Sequence, residues 1–135
     1  MSAKVFLDTN ILVYAFDPGS PEKRERALEL IGGRHWCVSW QVVQEFANVA
    51  LHRFATPIRP EDLGEYLDLV LWPRCEVFPS ASLHRSAIAI HQQTGYRYYD
   101  SLIVASALAS EAPVLYSEDL QDGRRIGPLT IRSPF

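Results

Sequence analysis

Four acidic side chains, Asp8, Glu45, Asp100 and Asp119, stand in contexts that could give them chemical work. Asp8 follows the apolar run Val5-Phe6-Leu7, and Asp119 comes three residues after Tyr116 in Tyr116-Ser117-Glu118-Asp119-Leu120. Each sits beyond the carboxyl end of a predicted strand. Glu45 shares a helical face with Val42 and Val49, and Asp100 shares one with Ile103, Val104 and Ala107. An acid on or beside an apolar stripe is out of pattern. Gathered at one edge of a sheet, four carboxylates cannot all stay ionised without a counter-charge. A divalent cation supplies it, and oxygen donors without His or Cys favour Mg²⁺ or Mn²⁺ over zinc. Such an ion orients and deprotonates a water, and two ions about 3.5–4 Å apart clamp both reacting oxygens of a phosphodiester. Phosphodiester cleavage is therefore the reaction class these residues suggest.

Each acid taken alone has a plainer account. Asp8 could be a turn or cap residue, Asp100 could answer a helix macrodipole, Glu45 could reach solvent, and Asp119 could cap a short turn. Their joint position shifts the balance. The four His, at 35, 52, 84 and 91, share no metal-binding spacing and read as surface or packing residues. Trp36, Trp40 and Trp72 read as core or interface anchors.

The elements that must position these acids follow from apolar periodicity and turn chemistry. Residues 5–7 read as a buried strand, with the chain turning at Asp8. Ser20 as cap and Pro21 at the first helical position open a helix over 22–31, which Gly32-Gly33 stops. A short strand over 35–38 leads to Ser39, which can cap a helix over 40–54. A third helix spans 61–71, between Pro60 and Pro73, and a strand follows over 76–78. A fourth helix runs from Ser80 or Ser82 to Gln93 and ends at Gly95. A fifth spans 98–110. Strands over 113–116 and 129–131 complete the chain. Short strands alternating with helices predict an α/β fold with a mainly parallel sheet. Such sheets bind ligands beyond the carboxyl ends of their strands.

Composition limits the alternatives. The chain has 135 residues, 47% hydrophobic and 21% charged, which predicts one globular domain, 1–135. No apolar run approaches the ~20 residues of a membrane span. The apolar stretch near the start meets Asp8 too early for a signal peptide, so a cytoplasmic location is expected. Cys37 and Cys75 form neither a disulfide framework nor a CxxC metal pair, and both are expected reduced. Net charge is −3, from 13 basic and 16 acidic side chains, so a strongly basic nucleic-acid footprint is absent. Eleven of the basic residues are Arg, the better bidentate phosphate ligand.

The chain resembles the PIN-domain ribonucleases and is most similar to the VapC toxins of bacterial toxin–antitoxin pairs. Four segments carry the likeness, in order: Phe6-Leu7-Asp8-Thr9-Asn10-Ile11-Leu12-Val13-Tyr14, Gln44-Glu45-Phe46, the run Tyr98-Tyr99-Asp100-Ser101-Leu102-Ile103-Val104-Ala105-Ser106-Ala107, and Leu115-Tyr116-Ser117-Glu118-Asp119-Leu120-Gln121-Asp122-Gly123. The resemblance implies a central, mainly parallel sheet of about five strands flanked by helices. It also implies Mg²⁺- or Mn²⁺-dependent endonucleolytic cleavage of RNA. Asp8, Asp100 and Asp119 would hold metal directly, and Glu45 a metal-bound water or a second ion. Thr9 and Asn10 would support Asp8. Relatives often carry His-Gly where this chain has Asp122-Gly123, so Asp122 is either a fifth, weaker ligand or a loop acid, the latter preferred.

Arg97, at the start of the fifth helix, and Arg124-Arg125 could steer phosphate or simply stay solvated. Tyr98 and Tyr99 could offer a stacking face for a splayed base, although core packing better accounts for at least one. The resemblance further implies an antitoxin that often sets an Arg among the acids, where it would compete with the metal, and a homodimer. Haloacid-dehalogenase phosphatases want an Asp where this chain has Asn10, and a lysine that is missing. A response-regulator receiver fails for the same missing lysine. The rival from another class is a catalytically silent PIN module that only binds RNA or a protein partner.

Overall fold

The central strands are short and apolar on both faces, which suits a parallel sheet covered on each side by helices. The structure, a computed structural model, describes residues 3–135; Met1 and Ser2 of the expected domain lie outside the described residues. Strands β1 (Val5–Leu7), β2 (Trp36–Ser39), β3 (Cys75–Val77), β4 (Val114–Tyr116), β5 (Arg125–Ile126) and β6 (Leu129–Arg132) form one sheet in the order β3-β2-β1-β4-β6-β5. All pairings are parallel except β5 with β6. The helices are α1 (Thr9–Tyr14), α2 (Pro21–Ile31), α3 (Trp40–His52), α4 (Pro60–Tyr66), α5 (Ala81–Thr94) and α6 (Tyr98–Ala109). From β1 the chain builds outward to β2 and β3, then returns to place β4 on the other flank of β1. The strand order therefore reverses between β1 and β4, where an open α/β sheet leaves a crevice at its carboxyl edge.

The core lies on both faces of this sheet. Phe6, Leu7, Leu115 and Ile131 from the strands, and Ile11, Leu12, Val42, Phe46 and Leu71 from covering segments, are wholly buried. Helix α6 is buried over seven consecutive residues, Ser101 to Ala107, and its two buried serines turn their hydroxyls inward, Ser101 to Tyr96 O and Ser106 to Leu102 O. An almost wholly apolar helix with satisfied hydroxyls belongs in the interior.

The expected sheet of about five strands gains a sixth, β5. This two-residue strand is folded back onto β6 through Gly127-Pro128, with Gly127 at φ 56°. So short a segment carries no alternation to read. The turn after Asp8 continues as α1, whose six residues span too few turns to show a helical period. The third expected helix is α4, extended through a π-turn over Leu67–Leu71 and a 3₁₀ turn over Trp72–Arg74. Ser39 and Ser80 cap their helices through their side chains, but Ser20 makes no side-chain cap bond. Cys37 and Cys75 are both free. Among the described residues, no helix is long and apolar enough to cross a membrane.

Candidate active site

The site begins at the carboxyl end of β1. Asp8 ends the strand by donating its backbone N–H to Tyr116 O of β4 at 3.0 Å, then serves as N-cap of α1. Its Oδ1 accepts the Thr9 N–H at 2.7 Å, and its Oδ2 accepts the Ser117 hydroxyl at 2.7 Å. The side chain is buried. The neighbouring exit from β4 is tied to it by Asn10. Asn10 Nδ2 donates to Asp119 Oδ2 at 3.1 Å, and its Oδ1 accepts the Glu118 N–H at 3.2 Å. Ser117, wholly buried, also accepts the Asp119 N–H at 3.2 Å. The two strand ends are thus joined by side chains as well as by the ladder.

Glu118 holds the β4 exit from its outer side. Its carboxylate accepts from the Tyr14 hydroxyl and from Lys23, whose ammonium also lies over the Tyr14 ring. These partners hold the Glu118 carboxyl below its usual range. The residue beside Asp119 is therefore anchored to α1 and α2 by a charge-assisted network.

Helix α3 presents Glu45 to the same region. Thr9 Oγ1 donates to Glu45 Oε2 at 3.0 Å, and Gln41 Nε2 donates to Glu45 Oε1 at 2.7 Å. Gln41 also reaches Tyr99 O at 3.1 Å, linking α3 to the first turn of α6, where Asp100 sits. All four acids border one cavity of about 830 Å³, shared with Arg53 and Arg97.

Burial is the main force on Asp8 and Asp100. It raises the Asp8 carboxyl to about 6, against the opposing hydrogen bonds from Ser117 and Thr9; Glu45 and Asp119 push it in the same direction as burial. Asp100 is also raised, by burial and then by Asp119, with Arg97 acting against the rise. Among the described residues, no three of these side chains converge into a finished cation cage. The chemistry of the donor set nevertheless fits a divalent ion: several carboxylate oxygens, no nitrogen or sulfur donor, and mutual repulsion that a cation would relieve.

Comparison with known proteins places the chain. The PIN domain family profile matches residues 5–124. The chain belongs to the PIN-domain family. No curated protein sequence matches it significantly. Among solved structures, a toxin–antitoxin complex from Klebsiella pneumoniae superposes with a TM-score of 0.70 at 17% identity, covering 98% of each chain. A DNA-bound VapBC from Salmonella typhimurium gives 0.64 at 20% identity, covering 99% of this chain and 100% of that one. VapC20 of Mycobacterium tuberculosis, described as a sarcin–ricin loop cleaving toxin, gives 0.63 at 17% identity, covering 86% and 90%.

Not every residue singled out in the sequence reaches the cavity of this PIN domain. Asp122 lies outside it, where its Oδ1 accepts the Ser133 N–H at 3.0 Å. The Thr9 hydroxyl serves Glu45, while only its backbone N–H reaches Asp8. Asn10 approaches Asp8 at 3.5 Å, the limit of a hydrogen bond, and its firmer contact is with Asp119. Arg97 lines the cavity, whereas Arg124 lies over the Tyr96 ring and donates to Gln121. Sequence reasoning missed Ser117, Gln41 and Arg53. Ser117 carried a usable signal, a hydroxyl directly at a strand end beside two acids. Gln41 lies one helical turn before Glu45, a spacing that predicts contact. Arg53, at the end of α3, carried none.

Proposed function

We propose that this PIN domain is a Mg²⁺- or Mn²⁺-dependent endoribonuclease, the toxin component of a toxin–antitoxin pair. One observation carries the proposal: Asp8, Glu45, Asp100 and Asp119, from four separated segments, border a single cavity at the crevice where the strand order reverses. Asp8, Asp100 and Asp119 would hold the ion, with Glu45 beside them. When bound, a divalent ion supplies positive charge to the reacting phosphate and acidifies water at neutral pH. The chain's own part is to prepare the oxygens. Ser117 and the Thr9 N–H fix the rotamer of Asp8, Asn10 fixes Asp119, and Thr9 with Gln41 fixes Glu45. Such prior ordering spares reorganisation during the reaction.

The fold neighbours described as toxin–antitoxin complexes support an antitoxin partner. An antitoxin cation set among these carboxylates would inhibit by competing for the same charge. A homodimer and a cytoplasmic location belong to the same proposal. The test is cleavage of RNA by the purified chain with Mg²⁺ or Mn²⁺ and with EDTA, beside Asp8→Asn and Asp100→Asn. Cleavage that needs the metal and disappears in both variants is expected. Variants that cut as well as the wild type, or RNA binding without cleavage under any metal, would favour the silent binding module.

A further inference from the structure

The acid cavity also holds cations that form no ion pair with its acids. Arg53 and Arg97 line it, yet among the described residues neither forms an ion pair with a carboxylate, whereas Arg26 pairs with Glu29 on α2 and Arg59, the residue before α4, pairs with Asp62. Two unpaired guanidinium groups beside a carboxylate cluster can take an anion that the acids alone would repel. Between them in function stands Tyr99, which lines the same cavity and is 72% exposed.

Tyr99 is held without being covered. Its carbonyl accepts from Gln41, and its ring meets Tyr98 edge-on at 6.0 Å. Tyr98 itself is tied back, bonded through its hydroxyl to His84 Nδ1 and stacked on the same imidazole. Tyr98 therefore buttresses, and Tyr99 offers a free aromatic surface one residue before Asp100. Paired bases in a helix are stacked on one another and show only their edges, so a ring surface of this kind selects an unstacked base.

We propose that Tyr99 is a base-stacking residue of this cavity, seating one base of the RNA while Arg53 and Arg97 hold the phosphates that flank it. This deepens the ribonuclease proposal and rests on it. Because the chain as a whole carries a net charge of −3, the attraction is local to these two arginines.

The test measures cleavage of a pool of randomised unpaired RNA by the intact protein, with Mn²⁺. Expected for Tyr99→Ala is a KM about tenfold higher or more, kcat nearly unchanged, with Tyr99→Phe close to wild type. Arg53→Gln should weaken binding and reduce the log–log salt slope by about 0.7. Mn²⁺ binding by calorimetry should be the same in Tyr99→Ala as in the wild type, which separates loss of stacking from loss of structure. Wild-type cleavage with an unchanged KM in Tyr99→Ala would overturn the stacking proposal alone. Absence of cleavage and of binding by the wild type would overturn the ribonuclease proposal, and this one with it.

Discussion

Asp8 is the residue on which most of the site's electrostatics converge. With its carboxyl raised to about 6 in the fold against an unfolded value of 3.8, the protonated form is the one the fold prefers. The stabilising contribution is complete below the unfolded value and is lost as pH rises through about 6. A shift of about two units corresponds to about 3 kcal/mol. In EDTA at pH 7, Asp8→Asn should therefore be more stable than wild type by up to about 3 kcal/mol, and the gap should close by pH 4. Urea denaturation at the two pH values measures this; a gap that ignores pH would show that burial does not control the group. Asn10 acts at the same scale, because it alone bonds Asp119 from α1. Asn10→Ala should lower Mn²⁺ affinity about 10–100-fold, read by calorimetric titration, and should cost the EDTA-treated protein about 1 kcal/mol through the lost bond to the Glu118 N–H. The four acids stood out in the sequence because each broke an apolar pattern or followed a strand. Ser117 and Gln41 did not, since a small hydroxyl or an amide near a strand end or on a helix offends no pattern.

At the scale of elements, the five strands other than β5 were readable as short apolar runs, and the five longer helices by their repeated apolar spacing or their bounding Pro and Gly. Helix α1 and strand β5 were not, being set by what they pack against: α1 by the cap that Asp8 supplies and the burial of Ile11 and Leu12, β5 by its pairing with β6. Capping separates two serines that look alike in sequence. Ser80 accepts the Leu83 N–H at 3.0 Å, while Ser20 makes no such bond. Ser80→Ala should cost about 1 kcal/mol and Ser20→Ala only a few tenths, measured by chemical denaturation. Equal costs would mean that the cap bond at α5 contributes nothing in solution.

At the scale of the molecule, an ion bound among buried carboxylates reports on the fold as well as on the chemistry. Mn²⁺ at a hundred times its dissociation constant should stabilise the wild type by about 2.7 kcal/mol. The gain should vanish in Asp8→Asn, and a melting temperature indifferent to Mn²⁺ would argue against the proposed ligands. The sheet order has a further consequence, in time rather than in space. Strand β1 emerges early in synthesis, but its neighbour β4 comes late, and the Asp119 that Asn10 grips lies 109 positions beyond that asparagine. Until β4 has left the ribosome, β1 lacks one flank and the cavity lacks one wall. A nascent chain that stops short of α6 therefore holds Asp8 and Glu45 without Asp100, Asp119 or a complete cavity, so the proposed activity waits on segments made long after the first two acids.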